Sequence, residues 1–316
     1  MVEAIPEDLA LKRDAFRRLD ATAADGAILA TNTSSLSIAA IASVTRHPER
    51  VVGMHFFNPV PLMALVEVVA GPATTPEVTD AVALLARRLG KTPVLAADTP
   101  GFIVNRVARP YYLEAFRVVG EGGAGVEGVD EAMRGIGFRM GPFELIDAIG
   151  ADVNFAVSRT IFEQFFGDPR YRPHPLQQAL VDSGRLGRKS SGGCYDYSAD
   201  GDRGAPWSGL ARRADGPQPA RLEAAQIEAR ILATIVNEAG SAVADGVASP
   251  DAVDTAMRLG TNWPDGPLAW GERIGLASVV HTLDALHAAV PDGRYRTVPL
   301  LRSLAESGGS FFTSRP

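Results

Sequence analysis

Along the first hundred residues, segments with apolar positions three and four apart take turns with short, nearly unbroken apolar runs. The first pattern puts one apolar stripe on a helix, and the second suits a strand buried on both faces. On this basis residues 7–19 predict a helix, 27–30 a strand and 36–42 a helix. Residues 51–57 and 65–69, rich in Val, Phe and Met, predict buried strands, followed by a helix over 79–89 and a strand over 92–96. Strands alternating with crossover helices predict an α/β fold built on a parallel, doubly wound, Rossmann-like sheet.

The strand signal fades after Asp98-Thr99-Pro100-Gly101, and apolar residues at helical spacing run from 102 to 119 and onward through 166. Glycine and proline crowd residues 200–220, a density of helix breakers that suits a linker. Beyond it the pattern repeats. Val129-Asp130 and Ala132-Met133-Arg134 return as Val253-Asp254 and Ala256-Met257-Arg258, and Gly141-Pro142 with Ile149-Gly150 returns as Gly266-Pro267 with Ile274-Gly275. Arg170-Tyr171-Arg172 and Pro175-Leu176 likewise return as Arg294-Tyr295-Arg296 and Pro299-Leu300. A near-constant offset across separated blocks indicates duplication. The expected organisation is a partial Rossmann-like domain over 1–98, an all-helical domain over 99–200, a linker over 201–219 and a second helical copy over 220–316. Two such copies can pack as a pseudo-dimer, the arrangement a homodimer would otherwise supply.

Composition narrows the function classes. With 316 residues, 46% of them hydrophobic and 22% charged, the chain is a globular protein with enough apolar surface for a large core. A net charge of -6 and scattered Lys and Arg leave no footprint for nucleic acid. Cys194, the single cysteine, rules out an internal disulfide and any cysteine-based metal site, and no run is long and apolar enough for a signal peptide or a membrane span. A cytoplasmic location is expected.

Polar residues that follow predicted buried strands supply the candidate chemistry: Asn32-Thr33-Ser34-Ser35, His55 to Pro59, Glu67, and Asp98 through Arg106. The carboxyl ends of strands in an open α/β sheet face the ligand crevice, which would direct Ser34 and His55 into one pocket. A histidine beside a carboxylate is a general base: the carboxylate fixes the tautomer, and the other ring nitrogen takes the proton. Glu67 is the obvious carboxylate, since a turn through Pro59 and Pro61 could return its strand beside His55. Taken singly, the same residues have plainer roles. His55 could be a hydrogen-bonded core histidine, Ser34 the cap of the helix near Leu36, Glu67 a surface strand residue and Asn105 a solvent-facing helix residue. Glu7, Lys12 and Lys189 could be solvated surface charges.

The blocks NTSSL, HFFNP, LVEVV, DTPGFIVNR and GPFELID, in this order, resemble the 3-hydroxyacyl-CoA dehydrogenase family. The resemblance runs from Val2 to about Tyr197, and the tandem helical repeat resembles bacterial members with a duplicated C-terminal domain. It implies NAD as cofactor and acyl-CoA as substrate, with (3S)-3-hydroxyacyl-CoA and 3-oxoacyl-CoA interconverted. It also implies His55 as the base, Glu67 as its orienting carboxylate, Ser34 and Asn105 as polar partners of the substrate's 3-oxygen, and Asn58 as a support of the same substrate pocket. Glu7, Lys12, Ser34 and Lys189 are implied as NAD contacts, with Ser34 and Lys12 also near the CoA ester. Measured against the family, the sequence opens on what resembles the third strand, without the strand, Gly-rich turn and helix that hold the pyrophosphate. The one GxGxxG, at Gly120, Gly122 and Gly125, follows a predicted helix and reads as a helix end. NAD binding by this stretch alone is therefore expected to be impaired. A cofactor-free acyl-CoA-binding module and a dimerising structural remnant are the alternatives to a dehydrogenase.

Overall fold

The computed structural model describes residues 1–210 and 220–312. Strand β1 (Val2–Glu3) leads through helix α1 (Leu9–Thr22) to strand β2 (Leu29–Thr31), helix α2 (Ile38–Ala42) and strands β3 (Val51–Phe56) and β4 (Leu65–Ala70). Helix α3 (Pro76–Arg88) and strand β5 (Thr92–Ala97) complete this run. Helices α4 (Val104–Val107), α5 (Arg109–Glu121), α6 (Val126–Gly135), α7 (Pro142–Ile149), α8 (Ala151–Gln164) and α9 (Pro175–Asp182) follow, then the strands β6 (Tyr195–Tyr197) and β7 (Arg203–Pro206). The remaining helices are α10 (Ala224–Ala244), α11 (Pro250–Thr261), α12 (Pro267–Ile274), α13 (Leu276–Ala289) and α14 (Pro299–Ser307).

The five-stranded sheet has the order β1-β2-β3-β4-β5 and is parallel at every pair except β3 with β4, which run antiparallel. The expectation of a parallel sheet is thus corrected at one place. Residues 57–64 are too few for the crossover that a parallel return requires, so the chain turns back on itself. Side chains alternate across this pair. Val52, Met54, Val66 and Val68 point to one face and form a core with Val78, Val82, Ala83 and Ala86 of α3. His55 and Glu67 are directly opposite in the register and point to the other face.

The chain divides into two compact units, one formed by Met1–Arg106 with Ser241–Gly266, the other by Val107–Gly240 and the chain from Pro267. The first unit therefore extends past the expected boundary at residue 98 and includes α4, the last turn of α10 and α11. Helix α11 packs on β4 and β5, and the Ala97 amide donates to the Val247 carbonyl at 2.9 Å. The long helix expected from residue 102 is divided into α4 and α5, with Pro110, which has no N–H to donate, in the first turn of α5.

Helices α10 to α14 repeat the order of α5 to α9. In the second unit the copies exchange equivalent contacts. The Tyr171 hydroxyl donates to Glu238 in α10 at 2.6 Å, and the Tyr295 hydroxyl to Glu114 in α5 at 2.7 Å. Gly122, at φ 81°, ends α5, as the glycine cluster predicted. The expected linker over 201–219 is corrected in part: Arg203–Pro206 is strand β7, paired with β6, and residues 211–219 lie outside the described residues. Among the described residues no helix is long and apolar enough to cross a membrane.

Candidate active site

The strand pairing that buries the apolar face of β3 and β4 also presents His55 and Glu67 to each other. The His55 Nδ1 lies 2.7 Å from the Glu67 Oε2, with His55 only 4% and Glu67 0% exposed. A carboxylate this deep is tolerated when hydrogen bonds replace the water it has lost. Here Oε1 accepts the backbone amides of Ile103 at 3.1 Å and Val104 at 2.9 Å. Those amides converge because the chain leaving β5 turns through two left-handed residues, Gly101 at φ 75° and Phe102 at φ 48°. The imidazole lies against the rings of Phe57, with centroids 4.5 Å apart, and Phe102, at 5.9 Å. Packing and the Glu67 bond both restrict its orientation. Its Nε2 makes no hydrogen bond to a described residue.

The loop after β2 carries the next group. Asn32 accepts the Phe56 amide at 2.8 Å, joining the ends of β2 and β3 beside His55. Asn105, in α4, donates to the Ser34 carbonyl at 3.3 Å. The Ser34 hydroxyl has no hydrogen-bond partner among the described residues. Sequence reasoning gave Ser34 a helix-capping alternative, but the cap is Ser37. Its hydroxyl accepts the Ala40 amide at 3.2 Å, while Asp98 accepts the Ser37 hydroxyl and the amides of Ile38 and Ala39. Asn32 and Asp98 lie in the candidate blocks without an assigned role and Ser37 lies outside them, although an Asn leaving a strand and a Ser before a helix were the available signals.

Glu7 lies ahead of α1 because Asp8 is the N-cap, accepting the Leu11 amide at 2.9 Å, so the helix starts two residues later than predicted. The Glu7 Oε1 accepts the Thr33 hydroxyl at 2.6 Å and the amides of Ser34 at 2.8 Å and Ser35 at 3.0 Å. Partial burial opposes its ionisation, but these donors and the nearby Lys12 ammonium outweigh burial and hold the carboxyl below its ordinary range. Lys12 is not on a solvated helix face: it is 1% exposed, with its ammonium 2.7 Å from Glu3 Oε1, 3.0 Å from the Ile5 carbonyl and 3.6 Å from Glu7. Asn58 is exposed just beyond β3. Lys189 belongs to the second unit, where both oxygens of Asp152 hold its ammonium, at 2.6 and 2.8 Å.

In the first unit one chain of contacts therefore joins His55, Glu67, the amides of Ile103 and Val104, Asn105, Ser34 and Glu7. A fixed tautomer with one ring nitrogen on a carboxylate leaves the other as a proton acceptor, which is the arrangement of a general base. The family model described as 3-hydroxyacyl-CoA dehydrogenase, NAD binding domain, matches residues 1–99. The one described as 3-hydroxyacyl-CoA dehydrogenase, C-terminal domain, matches residues 101–197 and 227–310. The chain belongs to the 3-hydroxyacyl-CoA dehydrogenase family. It is 39% identical to the 3-hydroxyadipyl-CoA dehydrogenase of Escherichia coli (strain K12), over 98% of this chain and 81% of that protein. It is 46% identical to the 3-hydroxybutyryl-CoA dehydrogenase of Clostridioides difficile, over 63% of this chain and 70% of that one. The crystal structure of 3-hydroxybutyryl-CoA dehydrogenase from Escherichia coli K12 is similar at a TM-score of 0.87 and 38% identity, covering 97% of this chain and 81% of that one. The two matches to the family's C-terminal domain fall on α5 to α9 and on α10 to α14, the two runs of repeated helices.

Proposed function

We propose that the chain is an NAD-dependent dehydrogenase interconverting a (3S)-3-hydroxyacyl-CoA and a 3-oxoacyl-CoA, with His55 as its general base. The observation that carries this reading is the buried His55–Glu67 pair, at 2.7 Å, with its second carboxylate oxygen on two backbone amides. In the neutral ring Nδ1–H donates to Glu67, and Nε2 takes the proton of the substrate's 3-hydroxyl. The imidazolium that forms is stabilised by the carboxylate already beside it. In the reducing direction the same nitrogen returns the proton to the 3-oxygen. Ser34 and Asn105 would be polar partners of that oxygen, and Asn58 would support the same pocket. Ser34 supports this with a hydroxyl that has no partner among the described residues, and Asn105 with its bond to the Ser34 carbonyl.

The donor set at the carboxyl ends of β1 and β2 fits one end of NAD: Glu7 is an ionised acceptor for ribose hydroxyls, and Ser34 adds a hydroxyl beside it. When bound, NAD supplies the hydride acceptor at its nicotinamide ring. Lys12 acts through Glu7 and Glu3 by holding both carboxylates, and would meet neither cofactor nor CoA while buried between them. Lys189 would have to leave Asp152 to serve the cofactor. The reciprocal tyrosine–glutamate contacts support reading the two helical copies as an internal counterpart of a dimer.

The test is NADH oxidation with acetoacetyl-CoA by this chain and by one extended with the codons ahead of Met1, each with a His55→Gln control. Turnover in either form, lowered about 10²–10⁴-fold by His55→Gln, is expected for the loss of a general base. Absence of turnover in both forms would contradict the assignment.

A further inference from the structure

The two amides that hold Glu67 are those of Val104, the first residue of α4, and of Ile103 just before it, and α4 is a single turn too short to be stable alone. Something else must fix α4 in place. Arg106, which follows Asn105, is 1% exposed, and its Nη2 lies 2.6 Å from Asp245 Oδ2 and 3.0 Å from Ser241 Oγ. A buried guanidinium needs such partners, so α4 is tied to the end of α10. Val104 is held from another side. A Cβ on Gly260 of α11 would lie 2.9 Å from Val104 Cγ2, 2.8 Å from Leu65 Cδ2 and 3.5 Å from Phe57 Cε1. Only glycine lets α11 approach this closely. The space that a side chain there would fill is bounded by Leu65, by Val104 of α4 and by Phe57, the ring packed against His55.

We propose that Ser241–Gly266, from the second helical copy, is a positioning element for the His55–Glu67 pair, with Asp245 and Gly260 as its two points of action. The proposal rests on reading that pair as the catalytic base. Asp245 holds Arg106 and with it the amides of α4, and Gly260 lets α11 close on Val104 and Phe57. If α4 shifts, Glu67 loses the two amides that fix its side chain, the carboxylate turns away from His55, and the Nδ1–H tautomer is no longer selected. The Nε2–H tautomer that then competes has no lone pair at Nε2 to accept a proton. The duplication thus contributes residues to the catalytic unit itself.

The experiment reads the His55 tautomer by long-range 1H–15N NMR at alkaline pH, with His55→Gln to assign the resonances and Glu67→Gln as the reference for complete loss of selection. Asp245 is 51% exposed on its side chain, so Asp245→Ala is expected to fold. Asp245→Ala and Gly260→Val should convert a dominant Nδ1–H tautomer into a mixture, and Asp245→Glu should restore it. In a form that turns over, Asp245→Ala should lower kcat about tenfold with KM little changed, as expected for misplacement of a catalytic group. Should Gly260→Val not fold, Asp245→Ala decides alone. A folded Asp245→Ala with the wild-type tautomer would overturn the proposal. A tautomer that responds in a protein that never turns over would leave the positioning role standing and remove the dehydrogenase reading.

Discussion

His55 and Glu67 were legible in the sequence because strand alternation and a short turn are local signals that act together. An antiparallel return through residues 57–64 can place the two side chains on one face. The amides that hold Glu67 were not legible, since they depend on left-handed backbone at Gly101 and at Phe102, a residue type that seldom adopts it. The burial of Lys12 was not legible for a related reason. A lysine among polar residues of an amphipathic helix reads as solvated, and its burial depends on Glu3 and Glu7 outside that helix. Lys12→Met should therefore destabilise the first unit by about 3 kcal/mol in urea denaturation, because Glu3 would be left buried without its cation. A change of only a few tenths of a kcal/mol would mean that the ammonium contributes little there.

At the scale of elements, hydrophobic periodicity located most helices and strands, while their ends depended on capping groups far away in the sequence. Helix α2 begins at Ile38 because Asp98, at the end of β5, accepts two of its first amides. Helix α9 has a titratable cap. The His174 Nδ1 accepts the Leu176 amide at 3.2 Å, which requires that nitrogen to be unprotonated. Burial, followed by the nearby Arg117 guanidinium, pushes its pKa down from 6.5 to about 4. Between those values the unfolded chain takes up a proton that the folded chain does not. The cap's contribution is fully present above pH 6.5 and is lost as pH falls toward about 4. From about pH 7.5 to about pH 5 the wild type should lose about 1 kcal/mol more stability than His174→Asn, allowing for partial exposure. Equal losses in urea titrations would contradict the role of the neutral ring.

For the whole molecule, the sequence repeat predicted two like helical copies, and the structure adds how they exchange contacts. Tyr171 with Glu238 and Tyr295 with Glu114 are one interaction made twice, with copies reversed. No periodicity carries that information, because each partner lies on a different helix run. Tyr171→Phe and Tyr295→Phe should each destabilise the second unit by about 1–2 kcal/mol, since each leaves a buried carboxylate one donor short. Chemical denaturation followed by near-UV circular dichroism measures this, and a neutral double variant would show that the exchange is incidental. The first unit's activity depends most directly on whether His55 and Glu67 act as one device. A double-mutant cycle on kcat in the acetoacetyl-CoA reaction, using His55→Gln, Glu67→Gln and both together, tests this. The double variant should be hardly slower than His55→Gln alone, because the carboxylate has nothing left to orient. Losses that simply multiply would show two independent residues and contradict the paired base.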